Sequence, residues 1–252
     1  MNEPQLNLSS PPIIEAVVDI DCDMPPNVDI DTLDAAAGAA LADQYPTSRR
    51  RMLSEHQISA APDQPVNVTS RHGLQALQYF SPDEKQLVQF RPAGFSFNRL
   101  APYSTLDDYL QEIERTWRLF IDIAKPVLTR AVRLRYINRI QLPMTERRVE
   151  LNEYLKLSHR LADEERLTFA GFFNQHSVLE PATGNQVNIV FATQPPAGDH
   201  LPIIFDIEAF NHVAAEPWDW ETISGRIHSL RSVKNLVFAN SLTDKCLNLF
   251  RP

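Results

Sequence analysis

Three arginines, Arg133, Arg135 and Arg139, share one parity in the alternating segment Ala131–Leu142, A-V-R-L-R-Y-I-N-R-I-Q-L. Side chains along a strand point alternately to its two faces, so these three share a face. A row of guanidinium groups is suited to carboxylates and phosphates, which it can grip with two parallel hydrogen bonds. A second alternating segment, Ile13–Cys22, puts Glu15, Asp19 and Asp21 on one face and Ile14, Ala16, Val18, Ile20 and Cys22 on the other. If the two segments are neighbouring strands, acids oppose arginines. The first reading of such a pattern is a ladder of ion pairs that sets how two halves of the chain meet. Each cross-strand pair then contributes roughly 0.2–1 kcal/mol. The second reading is a recognition surface made of Arg133, Arg135, Arg139, Glu15, Asp19 and Asp21, taking a partner protein or an anionic ligand. Stability alone is a weak warrant for function, because exposed ion pairs have small net value.

Asp206 and Glu208 lie two apart in an alternating segment, with His212 and Asp199-His200 nearby. Their carboxylates point the same way, as a metal-dependent hydrolase would need. No second histidine or lysine is spaced to complete a familiar motif, so a solvated strand face is the simpler reading. His176 and His228 are read as structural. No serine sits in a G-x-S-x-G frame, and the Gly-rich phosphate and dinucleotide loops are absent. No catalytic residue, metal ligand set or cofactor is assigned. Two cysteines, Cys22 and Cys246, are too few to hold a metal alone and are expected as reduced thiols.

The balance of charge narrows the partners. A net charge of −8 over 252 residues opposes general binding to nucleic acid, although Arg49, Arg50 and Arg51 supply a local basic run. An apolar content of 43% suffices for a proper core, and no stretch approaches a membrane span. The first residues, M-N-E-P-Q-L-N-L, lack the basic and apolar regions of an export signal, so a cytoplasmic location is expected.

These residues need elements to position them, and the 19 prolines punctuate the chain into candidates. Strand Ile13–Cys22 precedes a helix capped by Asp29 or Asp31 and running to about Gln44, with Leu33, Ala37, Ala40 and Leu41 inward. Arg49–Ile58 is strand-like, and Gln57–Val68 reads as a loop. Gly73–Phe80, Lys85–Arg91 and Gly94–Leu100 form an antiparallel meander. Ser104 caps a helix over Leu106–Ala124 whose apolar stripe includes Ile113, Trp117 and Phe120. The second half opens with strand Leu128–Leu142, then a short helix near Glu150–Leu157. Strands Arg166–Leu179, Gln186–Thr193 and Pro202–Phe210 follow. A long helix over Asp219–Ala239 and a short final helix capped by Ser241 complete the chain. Trp117, Trp218 and Trp220 are expected as core anchors.

The halves 1–126 and 127–252 therefore share an order: strand, helix, antiparallel strands, long helix with tryptophan. The expected class is α+β, with two repeats forming one compact unit like the duplicated saddle of TATA-binding-protein-like or helix-grip folds.

Two motifs carry a resemblance. Pro11-Pro-Ile-Ile-Glu-Ala-Val17 and the central Arg135-Tyr-Ile-Asn-Arg-Ile140 are similar to the P-P-I-x-E-A-V and R-Y-I-N-R-I segments of a sporadically distributed bacterial protein family. His228 and Phe238 match its C-terminal helical region more loosely. That family has no agreed activity to carry over. Its patchy distribution implies a defence-associated or toxin–antitoxin-like gene setting. The functional expectation is a non-enzymatic bacterial module binding a partner protein, with a homodimer also considered. The alternatives are a small-ligand binder, with a cavity between sheet and helices lined by Phe95, Phe97, Phe169, Phe172 and Phe173, and a metal-dependent hydrolase around Asp206 and Glu208.

Overall fold

The computed structural model describes residues 8–26, 28–59, 67–146, 148–156 and 170–251, with the backbone alone at 55–59 and 67–72. Among the described residues nine antiparallel strands form one sheet. They are β1 (Ile13–Asp23), β2 (Thr47–Ser59), β3 (Asn67–Phe80), β4 (Gln86–Arg91), β5 (Gly94–Leu100), β6 (Leu128–Pro143), β7 (Phe173–Glu180), β8 (Asn185–Thr193) and β9 (His200–Ala215). Their spatial order is β2-β3-β4-β5-β1-β6-β9-β8-β7. The helices are α1 (Asp34–Leu41), α2 (Leu106–Ala124), α3 (Trp220–Ser241) and α4 (Asp244–Leu247). The class is α+β, and none of the described helices is long and apolar enough to cross a membrane.

Alternation decides which face is dry. Val18 and Ile20 of β1 share a face with Phe95 and Phe97 of β5, Val88 and Phe90 of β4, and Leu134 and Tyr136 of β6. All are buried in one apolar cluster that also takes in Phe205 and Ile207 of β9 and Val187 and Phe191 of β8. The helices cover this face. Trp117 and Phe120 of α2 stack on each other and meet Phe95 edge-on or tilted. Phe238 of α3 stacks on Phe205, which stacks on Phe191 at 4.0 Å between centroids. Burying an aromatic or large aliphatic side chain contributes about 1.5–3 kcal/mol, so this layer dominates stability.

Cross-links join the two halves beneath the helices. Trp117 donates its indole N–H to the Pro217 carbonyl at 3.0 Å. Arg231 of α3 donates to both carboxylate oxygens of Asp107 at the start of α2. The Tyr103 and Tyr136 hydroxyls are 2.7 Å apart.

Several elements differ from the sequence expectation. Thr105, not Ser104, caps α2, closing a reciprocal capping box with Asp108. Thr243 rather than Ser241 caps the last helix, because α3 continues through Ser241. β2 extends to Ser59 and β3 starts at Asn67, so every described residue of the expected loop Gln57–Val68 is strand, residues 60–66 lying outside the described set. The expected helix near Glu150 is a 3-10 turn, Leu151–Glu153. The strand expected over Arg166–Leu179 is seen as Phe173–Glu180, residues 166–169 being outside the described set. In α1 only Ala37 and Leu41 are buried, one turn apart on an eight-residue helix, and Ala40 faces solvent. Trp218 is no core anchor: it lies in the turn ahead of α3 and is 64% exposed.

Candidate interaction surface

The face opposite the helices carries the charged residues. β1 pairs antiparallel with β6, placing Asp19 opposite Arg133 and Val17 opposite Arg135. The two charged segments are thus adjacent at the centre of the sheet. Glu15, Asp19 and Asp21 share the open face with Arg133, Arg135 and Arg139.

Pairing across the seam is selective. Arg133 donates Nε to Asp21 Oδ2 at 2.9 Å and reaches Glu208 at 3.8 Å. Its guanidinium also lies over the Phe210 ring, 4.8 Å from the centroid. Arg135 turns away from β1 and grips Asp206 of β9, donating Nε to both carboxylate oxygens at 2.9 and 3.1 Å. That charge-assisted pairing raises the Arg135 pKa. Arg139 is exposed and makes no ion pair with a described residue.

Arg91 of β4 is a member that sequence reasoning missed. It donates to Asp21 at 2.8 Å and lies 3.6 Å from Asp19. Asp19 also accepts from the Ser96 hydroxyl. Burial raises the Asp19 carboxyl above its ordinary value, opposed by Arg91 and by the Ser96 hydrogen bond. An amide relay continues outward: Gln78 donates to Gln89, Gln89 to Asn98, and Asn98 to Glu15, each at 2.7–2.8 Å. On the other flank Asn188 of β8 donates to Glu208 at 3.0 Å.

The result is a set of stripes running with the strands. β4 is positive at Arg91, β1 negative, β6 positive and β9 negative, with β5 supplying neutral Ser96 and Asn98 between β4 and β1. The charges of β1, β6 and β9 were legible by their parity, whereas the order of the stripes and the place of Arg91 on β4 needed the strand order.

Asp206 and Glu208 are side by side on this face, each engaged by an arginine or amide, which makes them ion-pair partners rather than free ligands. His200 and His212 each lie six residues from Asp206 along β9, roughly 20 Å away at strand spacing. His176 and half-buried His228 sit on separate elements, β7 and α3. Among the described residues no group of three or more His, Cys, Asp or Glu side chains is placed to hold a metal ion. Both cysteines are buried free thiols, Cys22 pushed up to about 12 chiefly by burial.

The expected phenylalanine-lined cavity is not assembled. Phe95 and Phe97 are buried on β5 and packed against α2, while Phe172 and Phe173 lie at β7, with four strands between. At about 4.8 Å per strand the separation is roughly 24 Å. Phe169 lies outside the described residues. A small void beneath α2, bordered by Phe97, Leu134 and Tyr136, has a volume of about 10 Å³, room for one water at most. No family model, curated protein or solved structure matches the chain.

Proposed function

We propose that the chain is a non-enzymatic interaction module that receives a partner protein on the open face of its sheet. The observation carrying this reading is the striped charge pattern, left uncovered by every described helix and ending in the exposed Arg139, which makes no ion pair with a described residue. Neighbouring stripes of opposite sign favour a partner with a matching pattern of both charges. A nucleic-acid backbone, uniformly negative, meets repulsion from β1 and β9. The engaged carboxylates favour binding over hydrolysis.

We also infer that the two halves are a duplicated saddle of the TATA-binding-protein-like or helix-grip kind. Reading outward from the centre, β1, β5, β4, β3 answers β6, β9, β8, β7, and each series is followed by a long helix. A half-turn about an axis normal to the sheet between β1 and β6 relates the two series. The family resemblance supports a bacterial, defence-associated setting, and the free thiols support a reducing compartment such as the cytoplasm.

The test is co-expression of the tagged chain with its neighbouring genes, followed by affinity capture and sedimentation. A stoichiometric protein partner retained by the wild type and lost with Arg139→Glu is expected. Arg139 is exposed and has no ion-pair partner among the described residues, so that variant is expected to keep its circular dichroism spectrum. Monodisperse wild-type protein with no co-purifying partner overturns the reading.

A further inference from the structure

The two edges of the sheet are built differently. β2 carries Arg49, Arg50 and Arg51 and a register shift between Arg51 and Met52. Charged side chains and bulges are the devices by which exposed edges avoid pairing with other chains. β7, reading F-N-Q-H-S-V-L-E, has neither lysine, arginine nor proline, and pairs with β8 without a register shift. Among the described residues it is paired on one side only. It also exposes Phe173, Val178 and Leu179 at 69%, 45% and 60%.

The direction of its backbone groups follows from the β7–β8 ladder. The Phe172 carbonyl accepts from the Thr193 N–H, so backbone groups at even positions point toward β8. Those of Phe173, Gln175, Ser177 and Leu179 therefore point outward, as a row of donors and acceptors with no strand partner among the described residues.

We propose that this edge pairs with β7 of a second copy of the chain, in an antiparallel register centred on His176. Residues opposite one another must share a face, which restricts the centre to a residue rather than a peptide bond. Centring on Gln175 sets Phe173 opposite Ser177, and centring on Ser177 sets Gln175 opposite Leu179. Centring on His176 alone sets Phe173 opposite Leu179 of the second copy, twice over by symmetry. An aromatic–aliphatic pair of this kind is the favoured cross-strand contact. The same register makes His176 of the second copy the diagonal neighbour of Asn174. The two nine-stranded sheets thereby become continuous. The interface is isologous and closed, so it yields a dimer and no filament. It is independent of the striped face, which stays open in the dimer.

Sedimentation equilibrium over a concentration series tests the arrangement. An edge contact of this length is small for a stable complex, so a concentration-dependent monomer–dimer equilibrium is expected. Gln175→Pro removes an outward N–H without touching the β8 ladder, and Phe173→Lys puts a charge on the edge. Each is expected to abolish the dimer while leaving the circular dichroism spectrum unchanged, and Met52→Lys on the opposite edge is expected to leave dimerisation intact. Phe173 is exposed, so its variant folds even if the proline strains β7. Monomer at every wild-type concentration, dimers that survive both β7 variants, or open-ended oligomers would each overturn the proposal.

Discussion

Arg133 holds two acids from two different strands, Asp21 on β1 and Glu208 on β9, and its removal leaves both short of a counter-charge. Arg133→Met is therefore expected to lower unfolding free energy by about 1–3 kcal/mol in urea titrations. Arg139→Met, on the same strand and face, is expected to change it by no more than about 0.5 kcal/mol. Equal effects would remove the distinction between paired and free arginines. Asp19 gives a second expectation, with a definite sign. Burial raises its folded-state pKa, so the folded chain holds this proton more tightly than the unfolded chain. Ionised Asp19 thus lowers stability at neutral pH, a cost that fades as pH falls through the raised pKa and is gone below the ordinary aspartate range. Asp19→Asn is expected to be more stable than wild type at neutral pH, with the gap closing on acidification. Arg91 keeps Asp21 as its partner in that variant. A gap that stays constant from neutral to acid pH would show that the carboxylate's ionisation is not the cause. At this scale the sequence told which face each charge occupies, because parity is local. It did not tell that Arg135 would choose Asp206, or that Arg91 would join Asp21. Those choices depend on which strands lie next to one another.

Among the elements, β5 meets β1 at Gly94, which lies opposite Asp21. This glycine has φ 141°, and a Cβ there would stand 2.1 Å from the Ile20 carbonyl oxygen. Both the backbone conformation and the contact exclude a side chain. Gly94→Ala is expected to cost roughly 3 kcal/mol or more, seen as a lowered denaturation midpoint or as insoluble expression. A near-native midpoint would mean that β5 can withdraw from β1 without loss. Elements with strong local signals were readable to within a residue or two: the apolar stripe with Ile113, Trp117 and Phe120 gave α2, and the strand expected over Gly94–Leu100 is β5. Segments whose structure comes from tertiary pairing were not. The outer parts of β2 and β3 are polar and carry no clean alternation, so their ladder could not be seen locally. Trp218 misled for the opposite reason: an aromatic beside a helix start resembles a core anchor, yet the helix begins two residues later.

For the whole molecule, the two halves share one sheet, one apolar cluster and the Trp117–Pro217 hydrogen bond. A single cooperative unfolding transition is expected, with tryptophan fluorescence and far-ultraviolet circular dichroism coinciding. Separate transitions would make the halves independent domains. That each half combines antiparallel strands with a long helix was legible, because proline and glycine mark many of the element ends. The full order of nine strands was not, since antiparallel neighbours need not follow one another along the chain.

The central ladder has a consequence for how the chain is made. Asp21 and Arg133, which meet across it, are separated by 112 positions. During synthesis β1 emerges early and gains β5 as a neighbour once residues to Leu100 are available. Its other edge must wait for β6. In that interval the waiting strand carries Glu15, Asp19 and Asp21, and irregularities in its β6 pairing fall near both ends, between Ile13 and Glu15 and between Asp21 and Cys22. Like charges on an unpaired edge repel other nascent copies that carry the same edge. Asp21 can take Arg91 of β4 in that interval, and the strand edge waits with its acids until the sixth strand adds Arg133.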